Sequence, residues 1–152
     1  MRSGARICMN GAKAFFDTNV LLYMYGGADP AKRTCARKLF QQHADSGRVR
    51  VSTQVVQEFY VSGSRKLGMA RRELLGAVAA LLDLPLVVVG PAHIVAAIEF
   101  GVRYQIAFWD ALIIAAAESS GAEVLYTEDL DDGQRYGTVL ARNPFRFPEI
   151  SS

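Results

Sequence analysis

Four carboxylates in this chain fall where an alternation of strands and helices would gather them at one end of a sheet. Asp17 closes the apolar segment Lys13-Ala-Phe-Phe-Asp17, and Asp129 stands just past Val124-Leu-Tyr-Thr127. Asp110 begins the apolar run 111–117, and Glu58 lies about one turn into a helix that follows the second strand. Two carboxylates about 5 Å apart repel by roughly 3 kcal/mol at an effective dielectric near 20. A pocket holding three or four must take up cations or protons, or spread apart. No His or Cys pair accompanies these acids, so the donor set is oxygen alone and suits a hard cation, Mg²⁺ or Mn²⁺, rather than zinc. Chemistry of that kind activates a water, holds a phosphate and steadies the leaving oxygen of an in-line displacement.

Taken singly, each acid has a plainer use. Asp110 can cap the helix it precedes, and Asp17 the short helix that follows it. Glu58 borders the apolar stripe of its helix as a solvated edge residue would. Asp129 belongs to an acidic run with Glu128, Asp131 and Asp132 that reads as a polar loop. The joint pattern is what singles them out.

The elements that must position these acids can be read from period and punctuation. Residues 13–17 read as a short buried strand. Thr18 and Asn19 supply N-cap chemistry for a short apolar helix through Val20, Leu21, Leu22 and Tyr23, ended by Gly26 and Gly27. From Pro30 to about Ala44 the apolar positions Cys35, Ala36, Leu39 and Phe40 recur at helical spacing. Gly47 closes that helix, and residues 49–52 form a second strand. Thr53 caps the next helix, whose stripe is Val55, Val56, Phe59 and Tyr60, and a further helix carries Leu74, Leu75, Val78, Leu81 and Leu82. The β-branched segment 86–89, between Pro85 and Gly90, reads as a buried strand. Pro91 opens a helix with Ile94, Val95 and Ile98 facing inward. Residues 111–117 are apolar all round and predict a buried helix. Residues 124–127 are the next strand and 138–140 a weaker one. The expectation is an α/β fold, three-layer α/β/α with a central parallel sheet covered on both faces. Its ligand site would lie beyond the carboxyl ends of the strands, where chain order reverses.

A length of 152 residues fits one domain, and 51% hydrophobic against 21% charged residues argues against a disordered chain. Cys8 and Cys35 stand in no metal-ligand spacing and are expected to be reduced thiols of a cytoplasmic protein. The first ten residues carry basic groups without an apolar run, unlike a signal peptide. The longest apolar stretch, 77–89, is broken by Asp83 and Pro85 and falls short of the roughly 20 residues of a membrane span, so no membrane role is expected. A net charge of +2 permits nucleic-acid binding without demanding it.

These residues also carry a family resemblance. Phe15-Phe-Asp-Thr-Asn-Val-Leu-Leu-Tyr23 resembles the opening motif of PIN-domain nucleases, particularly the VapC toxins of bacterial toxin–antitoxin pairs. Gln57-Glu58-Phe59 resembles their second motif, Phe108-Trp-Asp-Ala-Leu-Ile-Ile-Ala-Ala-Ala117 the third, and Leu125-Tyr-Thr-Glu-Asp-Leu130 the fourth. Any one of these is weak; four in order, over residues 13 to about 145, are specific. The resemblance implies a PIN-like fold over residues 13–148. Residues 1–12 would be an N-terminal extension, either disordered or upstream of a natural start at Met9.

The same resemblance implies a metal-dependent endoribonuclease acting as a toxin. Asp17 and Asp110 would ligate Mg²⁺ or Mn²⁺ directly, with Asp129 completing the set and Glu58 orienting the attacking water or a second ion. Asn19 and Thr127 would hold the carboxylates in place. Many relatives carry Asp-Xaa-Asp-Phe in the last motif, whereas here Asp129 is followed by Leu130-Asp-Asp132, so Asp131 and Asp132 stand as alternatives to Asp129. The implied partners are RNA, a second copy of the chain in a homodimer, and a small antitoxin. The antitoxin would lay an apolar helix in a groove formed by the helices around Phe59 and Leu75, and reach an arginine toward the acids.

Other readings compete. A phosphoacceptor signalling domain is also doubly wound with carboxylates around Mg²⁺, but it wants adjacent acids after the first strand and a late lysine, and no lysine follows Lys66. An aspartyl phosphatase would show a second Asp two residues after the first, where Asn19 stands. A housekeeping RNA-processing enzyme of the same family, or an RNA-binding module with a dead site, are further alternatives. Two basic groups, Arg65, Lys66, Arg71 and Arg72, and Arg33, Arg37 and Lys38, are either RNA-phosphate contacts or solvated surface. His43 and His93 have no partner in sequence and read as surface or structural residues. Phe108 and Trp109 either pack at the helix entry or stack on a base.

Overall fold

The computed structural model describes residues 11–146. The expected extension 1–12, with Cys8 and Met9, lies almost wholly outside the described residues, as do the last two positions of the expected 13–148 domain. Six strands run in chain order: β1 (Ala14–Phe16), β2 (Val49–Ser52), β3 (Leu86–Val87), β4 (Val124–Tyr126), β5 (Arg135–Tyr136) and β6 (Val139–Arg142). The helices are α1 (Thr18–Tyr23), α2 (Pro30–Ala44), α3 (Thr53–Arg65), α4 (Arg71–Leu82), α5 (Pro91–Tyr104) and α6 (Phe108–Ser119). The six strands form one sheet of order β3-β2-β1-β4-β6-β5. Every pairing is parallel except β5 with β6, so the expected three-layer α/β/α fold is present with one antiparallel edge.

The central strands are short and wholly buried. Ala14, Phe15 and Phe16 of β1 are each 0% exposed, because β1 is flanked on both edges by β2 and β4 and covered on both faces. Such a strand must be apolar on successive residues, which is what Ala-Phe-Phe supplies. Phe16 meets Phe40 of α2 and Tyr126 of β4 at centroid distances of 5.5 and 5.3 Å. His43 lies in the same cluster, 5.7 Å from Phe16, and its Nδ1 is 2.9 Å from the Leu39 carbonyl, so it is a structural histidine. His93 is structural as well: its Nδ1 accepts the Gly90 N–H at the start of α5.

Residues 111–117 of α6 are all buried, as their uniformly apolar character predicts. The buried seat of α6 also decides how α5 lies, against the expectation for Ile94, Val95 and Ile98. Helix α6 touches β2 and β6, whereas α5 rests chiefly on α6. With the sheet face already filled, α5 needs only Ala97 and Phe100 to seat itself. Ile94, Val95 and Ile98, expected to face inward, are 44%, 57% and 55% exposed.

Several boundaries shift for local reasons. Asp17, rather than Thr18 or Asn19, is the N-cap of α1, accepting the Thr18 N–H at 2.7 Å. Ser52 caps α3 through the Val55 N–H, and Thr53 instead takes the Val89 N–H. Helix α6 begins two residues early, so Asp110 lies in its first turn rather than at its cap. Strand β3 is a two-residue edge with both residues half-buried, and Val88 beyond it is exposed. Among the described residues no single helix is long and apolar enough to cross a membrane.

Candidate active site

The order β3-β2-β1-β4 means that the chain leaves β1 toward one side and returns on the other at β4. The crevice at such a reversal, beyond the carboxyl ends of the strands, is where open parallel sheets bind ligands. Asp17 follows β1 and Thr127 to Asp129 follow β4, so both reach this crevice from adjacent strands. Glu58 enters from α3 and Asp110 from the first turn of α6. All four acids line one cavity of about 360 Å³, together with Thr18, Asn19, Gln54, Ser62, Lys66 and Trp109. A roomier groove along α2, walled by Ala31, Thr34, Cys35 and Leu39, contains none of these acids.

Neutral groups hold the carboxylates. Asp17 Oδ2 accepts the Thr127 hydroxyl at 2.7 Å, and Thr127 Oγ1 in turn accepts the Asp129 N–H at 3.0 Å. Asn19 Nδ2 donates to Asp129 Oδ2 at 2.9 Å, while its carbonyl accepts the Glu128 N–H. The Thr18 hydroxyl donates to Glu58 Oε1 at 2.9 Å, and Gln54 Nε2 donates both to Glu58 Oε2 and to the Trp109 carbonyl. The helix that Asp17 caps thus sends Thr18 to one acid and Asn19 to another. Beside the site, Lys32 pairs with Glu128 at 2.7 Å and touches the Tyr23 hydroxyl, fastening the loop that carries Asp129 to α2.

The electrostatics follow from burial. Asp17 is 6% exposed, and desolvation pushes its carboxyl up to about 7, with the Thr127 and Thr18 hydrogen bonds opposing and the charges of Asp129 and Glu58 adding. Asp110 is likewise raised, first by burial and then by Asp129 and Glu58. None of the four acids is in a salt bridge among the described residues, where the ion pair found is Lys32–Glu128. Asp17 is the buried member of the group, with Glu58 and Asp110 half-buried and Asp129 exposed, and such converging acids without a paired counter-charge attract protons or a cation.

The donor chemistry fits a hard divalent ion: several carboxylates, neutral hydroxyl and amide supports, and no soft ligand. Among the described residues no three acidic, His or Cys side chains already converge on one point in coordinating geometry. That is compatible with Mg²⁺, which keeps several waters and is held through few direct carboxylates.

The structure brings together Asp17, Asn19, Glu58, Asp110, Thr127 and Asp129, the residues marked in sequence. Asp131 and Asp132 do not line the cavity; Asp132 accepts the Asn143 N–H instead. Gln54, Ser62 and the cavity position of Lys66 escaped the sequence reading. Gln54 and Ser62 stand four residues either side of Glu58, the one-turn spacing that puts them on its face of the helix. Arg33 and Arg37 donate to the Gly27 and Met24 carbonyls after α1.

With this geometry in place, comparison with known proteins is direct. The PIN-domain family model matches residues 14–136, and the chain belongs to the PIN-domain family. No curated protein matches its sequence. Among solved structures the chain is similar to VapC20 of Mycobacterium tuberculosis, described as a sarcin–ricin loop-cleaving toxin, with a TM-score of 0.64 and 24% identity over 78% of this chain and 91% of that one. It is also similar to a chain of a toxin–antitoxin complex from Klebsiella pneumoniae, with a TM-score of 0.67 and 20% identity over 88% of this chain and 99% of the other. At these identities the likeness establishes the shared fold.

Proposed function

We propose that this protein is a metal-dependent endoribonuclease and the toxin of a toxin–antitoxin pair. The observation that carries the reading is the convergence of Asp17, Glu58, Asp110 and Asp129 on one cavity, with no basic partner on any of them among the described residues. Asp17 and Asp110, with Asp129, would hold Mg²⁺ or Mn²⁺, which when bound supplies Lewis-acid charge and an activated water. Glu58, fixed through both oxygens by Thr18 and Gln54, orients the attacking water. Lys66, on the same cavity wall as Ser62, offers a positive charge to the phosphate. The water oxygen bonds to phosphorus as the bond to the leaving ribose oxygen breaks.

The test is cleavage of a panel of structured RNAs in Mg²⁺ or Mn²⁺, repeated in excess chelator and with Asp110→Asn. Cleavage in the metals that chelator and the substitution both abolish supports the reading. Cleavage that persists in chelator overturns the metal mechanism, and activity surviving in Asp110→Asn removes that residue from it.

The toxin role is supported by the likeness to VapC20 and to the Klebsiella complex; the same reading takes the protein as cytoplasmic, with a small antitoxin and a second copy of itself as partners. An apolar groove between α3 and α4, lined by Val56, Tyr60, Val61, Val78 and Leu82, is suited to an amphipathic partner helix. Phe59, expected to border it, points instead into the core against Tyr25. Expression of the chain alone should arrest growth, and co-expression of an adjacently encoded product should relieve it. Unimpaired growth together with RNA cleavage in vitro would favour the housekeeping enzyme.

A further inference from the structure

Trp109 is the chain's one tryptophan, and it is 63% exposed at the rim of the acidic cavity. Tryptophan is highly buried on average, and a largely uncovered indole gains meaning here from its place beside the acidic site. Trp109 shares the cavity with Gln54, Ser62, Lys66 and Asp110 as well as the apolar Leu22 and Ile113, a mixed but charged neighbourhood, and lines neither the apolar groove of α3 and α4 nor that of α2. A protein-binding anchor would sit amid apolar surface that excludes water. An aromatic face beside charges for a phosphate is instead the arrangement of a nucleic-acid stacking site.

The indole is also held. The Phe108 ring stands 5.0 Å away at 78°, packing as an edge against it, and the Trp109 carbonyl is tied to Gln54, the residue that fixes Glu58. Trp109 and Asp110 are neighbours in the first turn of α6, so their side chains leave the helix about 100° apart.

We propose that Trp109 is a platform on which an unpaired RNA base stacks beside the scissile phosphate. This rests on the ribonuclease reading. In a duplex both faces of a base are covered by its neighbours, and only an unpaired nucleotide offers a free face to the indole.

Because the chain has one tryptophan, its emission reports this site alone. Titrating the wild-type protein with a short mixed-sequence single-stranded RNA should quench that emission, and the same sequence as a blunt duplex should not. In cleavage assays on an RNA that the wild type cuts, Trp109→Ala should lower kcat/KM about 5- to 100-fold, mostly through KM, and Trp109→Phe should restore much of the loss. Replacing the nucleotide at the cleavage site by an abasic one should weaken the wild type by a similar factor and Trp109→Ala little further. Unquenched emission with unchanged Trp109→Ala kinetics overturns the stacking role while the ribonuclease reading stands, and leaves the indole as a protein contact. If the wild type neither cleaves RNA nor shows quenching with it, both readings fall together.

Discussion

Thr127 donates its hydroxyl to Asp17 across 2.7 Å and receives the backbone N–H of Asp129 on the same oxygen, so one side chain ties together the acids that leave adjacent strands. Its 1% exposure makes this tie a buried one. Thr127→Val keeps the shape and removes the donor. The expected outcome is a 10- to 100-fold loss of metal affinity or activity, the usual effect of deleting a residue that orients a ligating carboxylate. Thr127→Ser should recover most of it. Metal titration by calorimetry alongside kcat/KM checks this, and a Val variant with wild-type affinity would remove Thr127 from the supporting set.

Asp17 makes the stability of the metal-free protein depend on pH. Burial raises its carboxyl from 3.8 to about 7, so between those values the folded state binds more protons than the unfolded one. Stability therefore falls as pH rises from about 4 to 7 and stays reduced above that window. A shift of this size corresponds to at most about 4 kcal/mol. Asp17→Asn should flatten that slope, with a smaller net gain above pH 7 because its amide meets Thr127 as a second donor. Added Mg²⁺ should offset the penalty in the wild type only. Denaturant unfolding in chelator across this range measures it, and identical slopes for wild type and variant would contradict the assignment. His43 acts in the opposite sense: burial lowers it from 6.5, so its contribution is present above that value and lost as pH falls.

The apolar groove of α3 and α4 gives a separable prediction. Tyr60 is 45% exposed along that groove and is not among the residues lining the acidic cavity. Tyr60→Lys should weaken antitoxin binding more than tenfold while RNA cleavage stays within twofold of wild type, as expected for a charge placed in an apolar helix groove. Calorimetry with the purified partner and a cleavage assay on the same samples decide it. Loss of both functions at once would mean that groove and active site are not independent.

The parts of this fold that could be read from sequence are those where one local rule acts alone. Residues 14–16 and 111–117 are apolar without interruption, and burial on all sides is the single arrangement that satisfies them. The acids could be placed because Asp17 and Asp129 follow strands, Asp110 opens a helix and Glu58 lies about a turn into the helix after β2, and strand ends share one edge of a parallel sheet. What could not be read depends on partners distant in sequence. The orientation of α5 is set by α6 occupying the sheet face, which no period within 91–104 records. The β5–β6 pair carried a weak cue in the two-residue Gly137-Thr138 connection, where Gly137 adopts φ +60°, but its strands are too short to show alternation. Lys66 lines the site because α3 runs back past the acids, while in sequence it is one of several basic residues at a helix end.

The outward turn of α5 bears on assembly. Ile94, Val95, Ile98 and Val102 fall at helical spacing on one side of α5 and are each between 44% and 69% exposed. Packed against its own copy about a two-fold axis, this face would bury the four apolar side chains on both protomers, the self-complementarity such an interface requires. A specific dimer buries roughly 1,200–2,000 Å² in all, so α5 would form the centre of the contact rather than the whole of it. The expected outcome is a dimer mass by light scattering at micromolar concentration, shifting to monomer in Ile98→Lys with the circular dichroism spectrum unchanged. Because Ile98 is 55% exposed, lysine there should cost little within one chain. A wild-type protein of monomer mass, or a dimer indifferent to lysine at position 98, would place the α5 face outside the assembly.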